Sequence, residues 1–110
     1  MEGTVSEDAI KQAEAAKAAG NQAFAAFKYS EAIDEYTKAI ELTAAKPNHI
    51  YYSNRANAYL FESKYDECIA DCNKSLEIEP TFVKTYYRKA KALMCLMQMG
   101  NAAKVLQEGL

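Results

Sequence analysis

No apolar run in this 110-residue chain approaches the ~20 residues that a membrane-spanning helix needs. The first twenty residues carry Glu2, Glu7, Asp8 and Glu14 and hold no apolar block, so no secretory leader is expected. Charge of one sign is also scarce. The formal net charge is −2, too little to draw nucleic acid to the chain as a whole. Histidine occurs once, as His49, and cysteine three times, as Cys68, Cys72 and Cys95. Cys68 and Cys72 share a helical face, but no second cysteine pair completes a four-ligand metal set. An odd count without paired spacing gives no disulfide framework. All three are expected as reduced thiols on the core faces of helices. A glycine-rich phosphate loop is missing, and with it any catalytic inventory, so the chain is not expected to be an enzyme. Period-two alternation is absent, which argues against strands. On these absences a cytoplasmic chain is expected, with no cofactor, metal, membrane or nucleic acid as partner.

What is present is a globular balance, half hydrophobic and a quarter charged, with an internal repeat. Tyr29-Ser30-Glu31-Ala32-Ile33 returns as Tyr65-Asp66-Glu67-Cys68-Ile69, and more weakly as Met99-Gly100-Asn101-Ala102-Ala103. Lys38-Ala39-Ile40-Glu41-Leu42 matches Lys74-Ser75-Leu76-Glu77-Ile78, and Ala56-x-Ala58-Tyr59 matches Ala90-x-Ala92-Leu93. A period near 34 residues built of two helical patterns is the signature of the tetratricopeptide repeat, TPR. The expected fold is all-α: antiparallel helix pairs stacked into a superhelix, the first helix of each pair lining its concave side. We expect an N-terminal extension at 1–12 and repeats at 13–48, 49–82 and 83–110, the last incomplete. Helices are expected at about 7–26, 30–44, 49–62, 66–78, 82–97 and 100–110, with Asn48 and Thr81 as N-caps. Gly20, Ala32, Ala56, Cys68, Ala90 and Ala102 should sit where paired helices approach closely. Tyr29, Tyr36, Tyr59 and Tyr65 should fill the spaces between. Pro80 should close the second repeat.

Three segments carry a resemblance to a particular family. Lys17-Ala-Ala-Gly20-Asn21, Tyr52-Ser53-Asn54-Arg55-Ala56 and Lys84-Thr-Tyr-Tyr-Arg88-Lys89-Ala90 resemble the chaperone-binding TPR domains of Hop-type co-chaperones. Glu79-Pro80-Thr81-Phe82-Val83-Lys84 adds to the likeness. The resemblance implies a carboxylate clamp that holds the acidic C-terminal EEVD peptide of Hsp70 or Hsp90. Its clamp residues fall on Lys17, Asn21, Asn54, Lys84 and Arg88, all five types matching, with secondary peptide contacts at Phe24, Asn57, Phe61 and Lys91. It also leaves two other readings: a TPR scaffold binding another partner, or the targeting domain of a larger phosphatase or prolyl isomerase.

The residue chemistry suits the clamp. Lys17 and Asn21 are one turn apart on one helix, and so are Lys84 and Arg88 on another. A peptide ending in Asp presents two carboxylates close together, which ammonium and guanidinium groups meet with charge-assisted hydrogen bonds. Asn21 and Asn54 are poor helix formers predicted well inside helices, so a role beyond propensity should explain them. The chain also departs from the family. Phe61 stands where a lysine or arginine is common, Asn57 where a small alanine is, and Lys91 is placed to restore the missing charge. Finally, the third copy stops before its second helix would finish, as a segment of a longer protein would. Val105, Leu106, Met94, Met97 and Met99 are therefore expected uncovered, with self-association through this end.

Overall fold

A computed structural model describes residues 4–96 and 99–109, without the side chains of 99–103. Six helices follow in order among these residues: α1 Glu7–Ala25, α2 Tyr29–Leu42, α3 His49–Phe61, α4 Tyr65–Ile78, α5 Val83–Cys95 and α6 Met99–Glu108. No strand occurs among the described residues. Each helix packs on the next, and α3 also touches α5. The extents of 43 × 31 × 19 Å describe a slab, the shape that stacked hairpins give.

Local chemistry sets the boundaries. Ser6 caps α1 by accepting from the Ala9 amide at 3.1 Å, and Glu7 and Asp8 complement the positive end of the helix dipole. Asn48 caps α3 as expected, accepting from the Ile50 amide at 2.8 Å. Thr81 does not cap α5. It turns back on Glu79, its hydroxyl 2.6 Å from that carboxylate, and Phe82 takes the cap position without a side-chain bond. Glu79 is extended, as a residue before proline must tend to be, and α4 ends at Ile78.

The two inner turns repeat one device. Phe27 and Ser63 hold left-handed φ values of 63° and 60°. The amides of Lys28 and Lys64 then reach back to the Ala23 and Tyr59 carbonyls at 2.8 and 2.9 Å. This is a Schellman closure, usually made with glycine. A phenylalanine there is strained, and Phe27 is 78% exposed as well.

The core is built of small residues from facing helices. Ala13, Ala32, Ala39, Ala56, Ala58, Cys68, Cys72 and Ala92 are fully buried. At Gly20 a methyl group would lie 2.6 Å from Cε1 of the buried Tyr36, so glycine lets that ring in. Tyr29, Tyr59 and Tyr65 are partly buried against the same clusters. Ala102 and the Met97 and Met99 side chains lie outside the described residues.

Two further expectations are corrected. Cys95 is a free thiol but exposed, because it sits on the last turn of α5 away from the core, unlike the buried Cys68 and Cys72. Val105 is not left uncovered: only 7% exposed, it packs with Ala90 and Leu93, with Leu106 partly buried beside them. α6 thus covers its own apolar face against α5. Met94 remains 44% exposed.

Candidate functional site

α3 and α5 lie side by side and leave a cavity of about 340 Å³ between them. Lys84, Arg88 and Lys91 line it from α5, together with Val83 and Tyr87. Asn57, Leu60 and Phe61 line it from α3. Three positive side chains and an amide therefore share one concavity, and no carboxylate of the described residues lines it. Asn57 and Phe61, the two expected departures from the family, and Lys91, expected to restore the charge, are all part of the wall.

Arg88 is the half-buried member. Its Nη1 donates to the Ser53 carbonyl at 3.0 Å and to Ser53 Oγ at 2.7 Å. Among the described residues it has no carboxylate partner. Burial pulls its pKa below the ordinary guanidinium value, opposed by nearby Cys72, Tyr36 and Cys68. An arginine never sheds its proton in proteins, so this is a desolvated charge still lacking an anion.

The α1 residues are placed differently. Lys17 and Asn21 of α1, like Asn54 of α3, do not line the cavity. Lys17 Nζ pairs with Glu14 at 3.1 Å, and the Tyr51 hydroxyl donates to the other Glu14 oxygen at 2.5 Å. The Glu14 carboxyl is held below its usual range first by Tyr51 and then by Lys17. Asn21 is linked to the α5 side through Tyr36. That hydroxyl donates to Asn21 Oδ1 at 2.5 Å and lies near enough to Arg88 to feel its charge. With Oδ1 occupied, the Asn21 NH₂ group is left as a donor. Asn54, half-buried, follows Ser53, the residue that holds Arg88.

An aromatic shelf adjoins the cavity at Phe61. The Phe61 ring meets Phe24 edge-on at 5.1 Å and Tyr29 at 5.3 Å, and Tyr29 meets Phe27 at 6.5 Å. Phe61 is 52% exposed, so one face of this cluster remains open to a ligand.

Several supporting residues carried no readable sign in the sequence. The Glu14–Lys17 pair was legible from its spacing of three. The Tyr51–Glu14, Tyr36–Asn21 and Ser53–Arg88 bonds join residues 37, 15 and 35 apart, distances at which periodicity says nothing. Among the described residues no group of three His, Cys, Asp or Glu side chains could hold a metal ion. None of the described helices is long and apolar enough to cross a membrane.

The chain is similar to known proteins over most of its length. The model of the family described as tetratricopeptide repeat matches residues 49–82. The heat shock protein sti1 homolog of Schizosaccharomyces pombe is 41% identical over 85 residues. That match covers 77% of this chain but only 14% of that protein. Among solved structures, the first TPR of Spaghetti (RPAP3) bound to the HSP90 peptide SRMEEVD is similar at a TM-score of 0.85 and 32% identity. It covers 92% of this chain and 80% of that one. The TPR2B domain of yeast Sti1 in its pHsp70 complex is similar at 0.85 and 33%, covering 90% and 78%.

Proposed function

Because the chain belongs to the tetratricopeptide repeat family, we propose that it is a co-chaperone adaptor domain holding the acidic C-terminal EEVD tail of Hsp70 or Hsp90. Lys17, Asn21, Asn54, Lys84 and Arg88 form the carboxylate clamp of this reading. The observation that carries it is the half-buried Arg88, beside Lys84 and Lys91 in one cavity and without a carboxylate partner among the described residues. A peptide terminus ending in Asp supplies two carboxylates, and these cations supply the charge-assisted donors to meet them. The NH₂ of Asn21, freed by Tyr36, and the amides of Asn54 and Asn57 add neutral donors. Phe24 and Phe61 offer apolar contact to residues upstream. The peptide complexes among the solved relatives support the same ligand class.

The repeats of this reading run 13–48, 49–82 and 83–110. The domain binds and does not catalyse; a catalytic module, where one exists, lies elsewhere in a parent protein. The setting is the cytoplasm, where such tails are displayed. Calorimetric titration with EEVD-ended peptides of both chaperone classes tests the proposal. The expected dissociation constant is on the order of micromolar, about −8 kcal/mol, since ordering a short flexible peptide offsets part of the contact energy. Amidating the peptide's C-terminus should weaken binding strongly. Equal affinity for free and amidated peptides would overturn the clamp.

A further inference from the structure

Three hydroxyl side chains are fully buried where α3, α4 and α5 meet: Ser53, Thr85 and Ser75. Buried hydroxyls are costly unless they are bonded, and these bond to one another. Ser53 Oγ lies 2.8 Å from Thr85 Oγ1, Thr85 Oγ1 lies 3.4 Å from Ser75 Oγ, and Ser75 Oγ donates to the His49 carbonyl at 2.9 Å. Arg88 closes the other end by donating to Ser53 Oγ.

The direction of every bond in this chain is forced. A carbonyl only accepts, so the single Ser75 proton is committed to His49. Ser75 must then accept from Thr85, Thr85 from Ser53, and Ser53 from the guanidinium, which can only donate. The hydrogen-bond chain thus runs one way, from Arg88 to a backbone carbonyl at the start of α3, and aligned bonds of this kind strengthen one another. It takes up Nη1 alone. Nε and Nη2 of Arg88 have no partner among the described residues.

We propose that Ser53, Thr85 and Ser75 are positioning residues for Arg88. They lock one edge of the guanidinium so that its remaining donors are preset for a ligand carboxylate. This rests on the carboxylate-clamp reading of the groove. The position of Thr85 supports it: one period of 34 residues earlier stands Tyr51, whose hydroxyl holds Glu14 and through it Lys17. Equivalent positions in two repeats thus govern the two ends of the clamp by different means.

The test is a double-mutant cycle read by calorimetry with a free EEVD-ended peptide. Thr85→Val keeps the shape and removes the middle hydroxyl. It should weaken binding roughly five- to tenfold, the worth of one lost buried hydrogen bond. Thr85→Ser should restore affinity to within about twofold. In an Arg88→Ala background, Thr85→Val should change affinity little, since the group it positions is gone. A loss of the same factor in both backgrounds, or no loss in either, would overturn the positioning role. Should Thr85→Val lose its helical circular dichroism, Ser75→Ala cuts the last link and is read in the same cycle. The amidated peptide on the unaltered chain separates the two failures. If it binds as well as the free peptide, the clamp fails and the positioning role with it. Carboxylate-dependent binding without coupling sinks the positioning role alone.

Discussion

The two sides of α3 each hold an arginine, and the two are treated in opposite ways. Behind the helix, Arg55 makes a two-pronged pair with Asp71 at 2.7 and 2.8 Å, donates to Thr37 at 3.1 Å and lies over the rings of Tyr52 and Tyr59. Asp71 is buried, and its bond holds the guanidinium pKa above the ordinary value. In front of the helix, Arg88 has only hydroxyl and carbonyl partners among the described residues, and burial moves its pKa the other way. A charge met from within ties α3 to α4. A charge left without an anion at a concave surface contributes only its hydrogen bonds to the fold and keeps its charge for a ligand. The chemical type of the residue is the same, so only its surroundings separate scaffold from site.

The largest effect should come from breaking the inner pair. Asp71→Ala leaves Arg55 half-buried without its anion, which should cost about 3 kcal/mol of stability in urea denaturation. Affinity for the EEVD peptide should stay near that of the parent at temperatures where the variant is folded. Arg88→Ala should do the reverse, weakening peptide binding by about 1.5–3 kcal/mol with a smaller change in urea midpoint. If both variants moved stability and affinity together, the contrast between the two arginines would be lost.

A smaller change should sharpen the contrast. Phe61→Lys adds another unmet cation to the groove wall. It should tighten binding to peptides with upstream acidic residues by about 0.5–1 kcal/mol, and less at high salt, as surface pairs do. Calorimetry at two ionic strengths reads it, and binding indifferent to salt would count against an ionic groove.

The smallest effect concerns Glu14, a charge met from within at the edge of the site. Glu14→Gln should free Lys17 and tighten the peptide by less than about 0.5 kcal/mol. Its pH signature has a definite sign. The Glu14 pKa is lowered in the folded chain from 4.5, so its stabilising contribution is present above that value. It is lost as pH falls through the lower folded value. The Gln variant should therefore lose less stability than the parent between about pH 5 and about pH 3.

Much of the fold was legible. Helix ends read from the repeat fall within two residues of those observed, since Asn48, Pro80 and the apolar period act locally. Thr81 misled because a better acceptor, Glu79, stood two residues away. Val105 differs from expectation because α6 reaches α5 and buries it. In the site, the cations and amides were named by the resemblance to chaperone-binding TPR domains, with which their type and spacing are compatible. The hydroxyls that hold Arg88 were not, being ordinary serines and threonine until packing brings them together.

The sequence by itself determined the repeat, the six helices and which side chains share a helical face, because these follow from short-range periodicity and capping. Only the tertiary structure decided which charges are already answered. Arg55 meets Asp71 across 16 residues, Lys17 meets a Glu14 steadied by Tyr51, and Arg88 meets no carboxylate among the described residues. Ion pairing inside a protein depends on distance and burial in three dimensions, and neither quantity is carried by the order of residues along one helix.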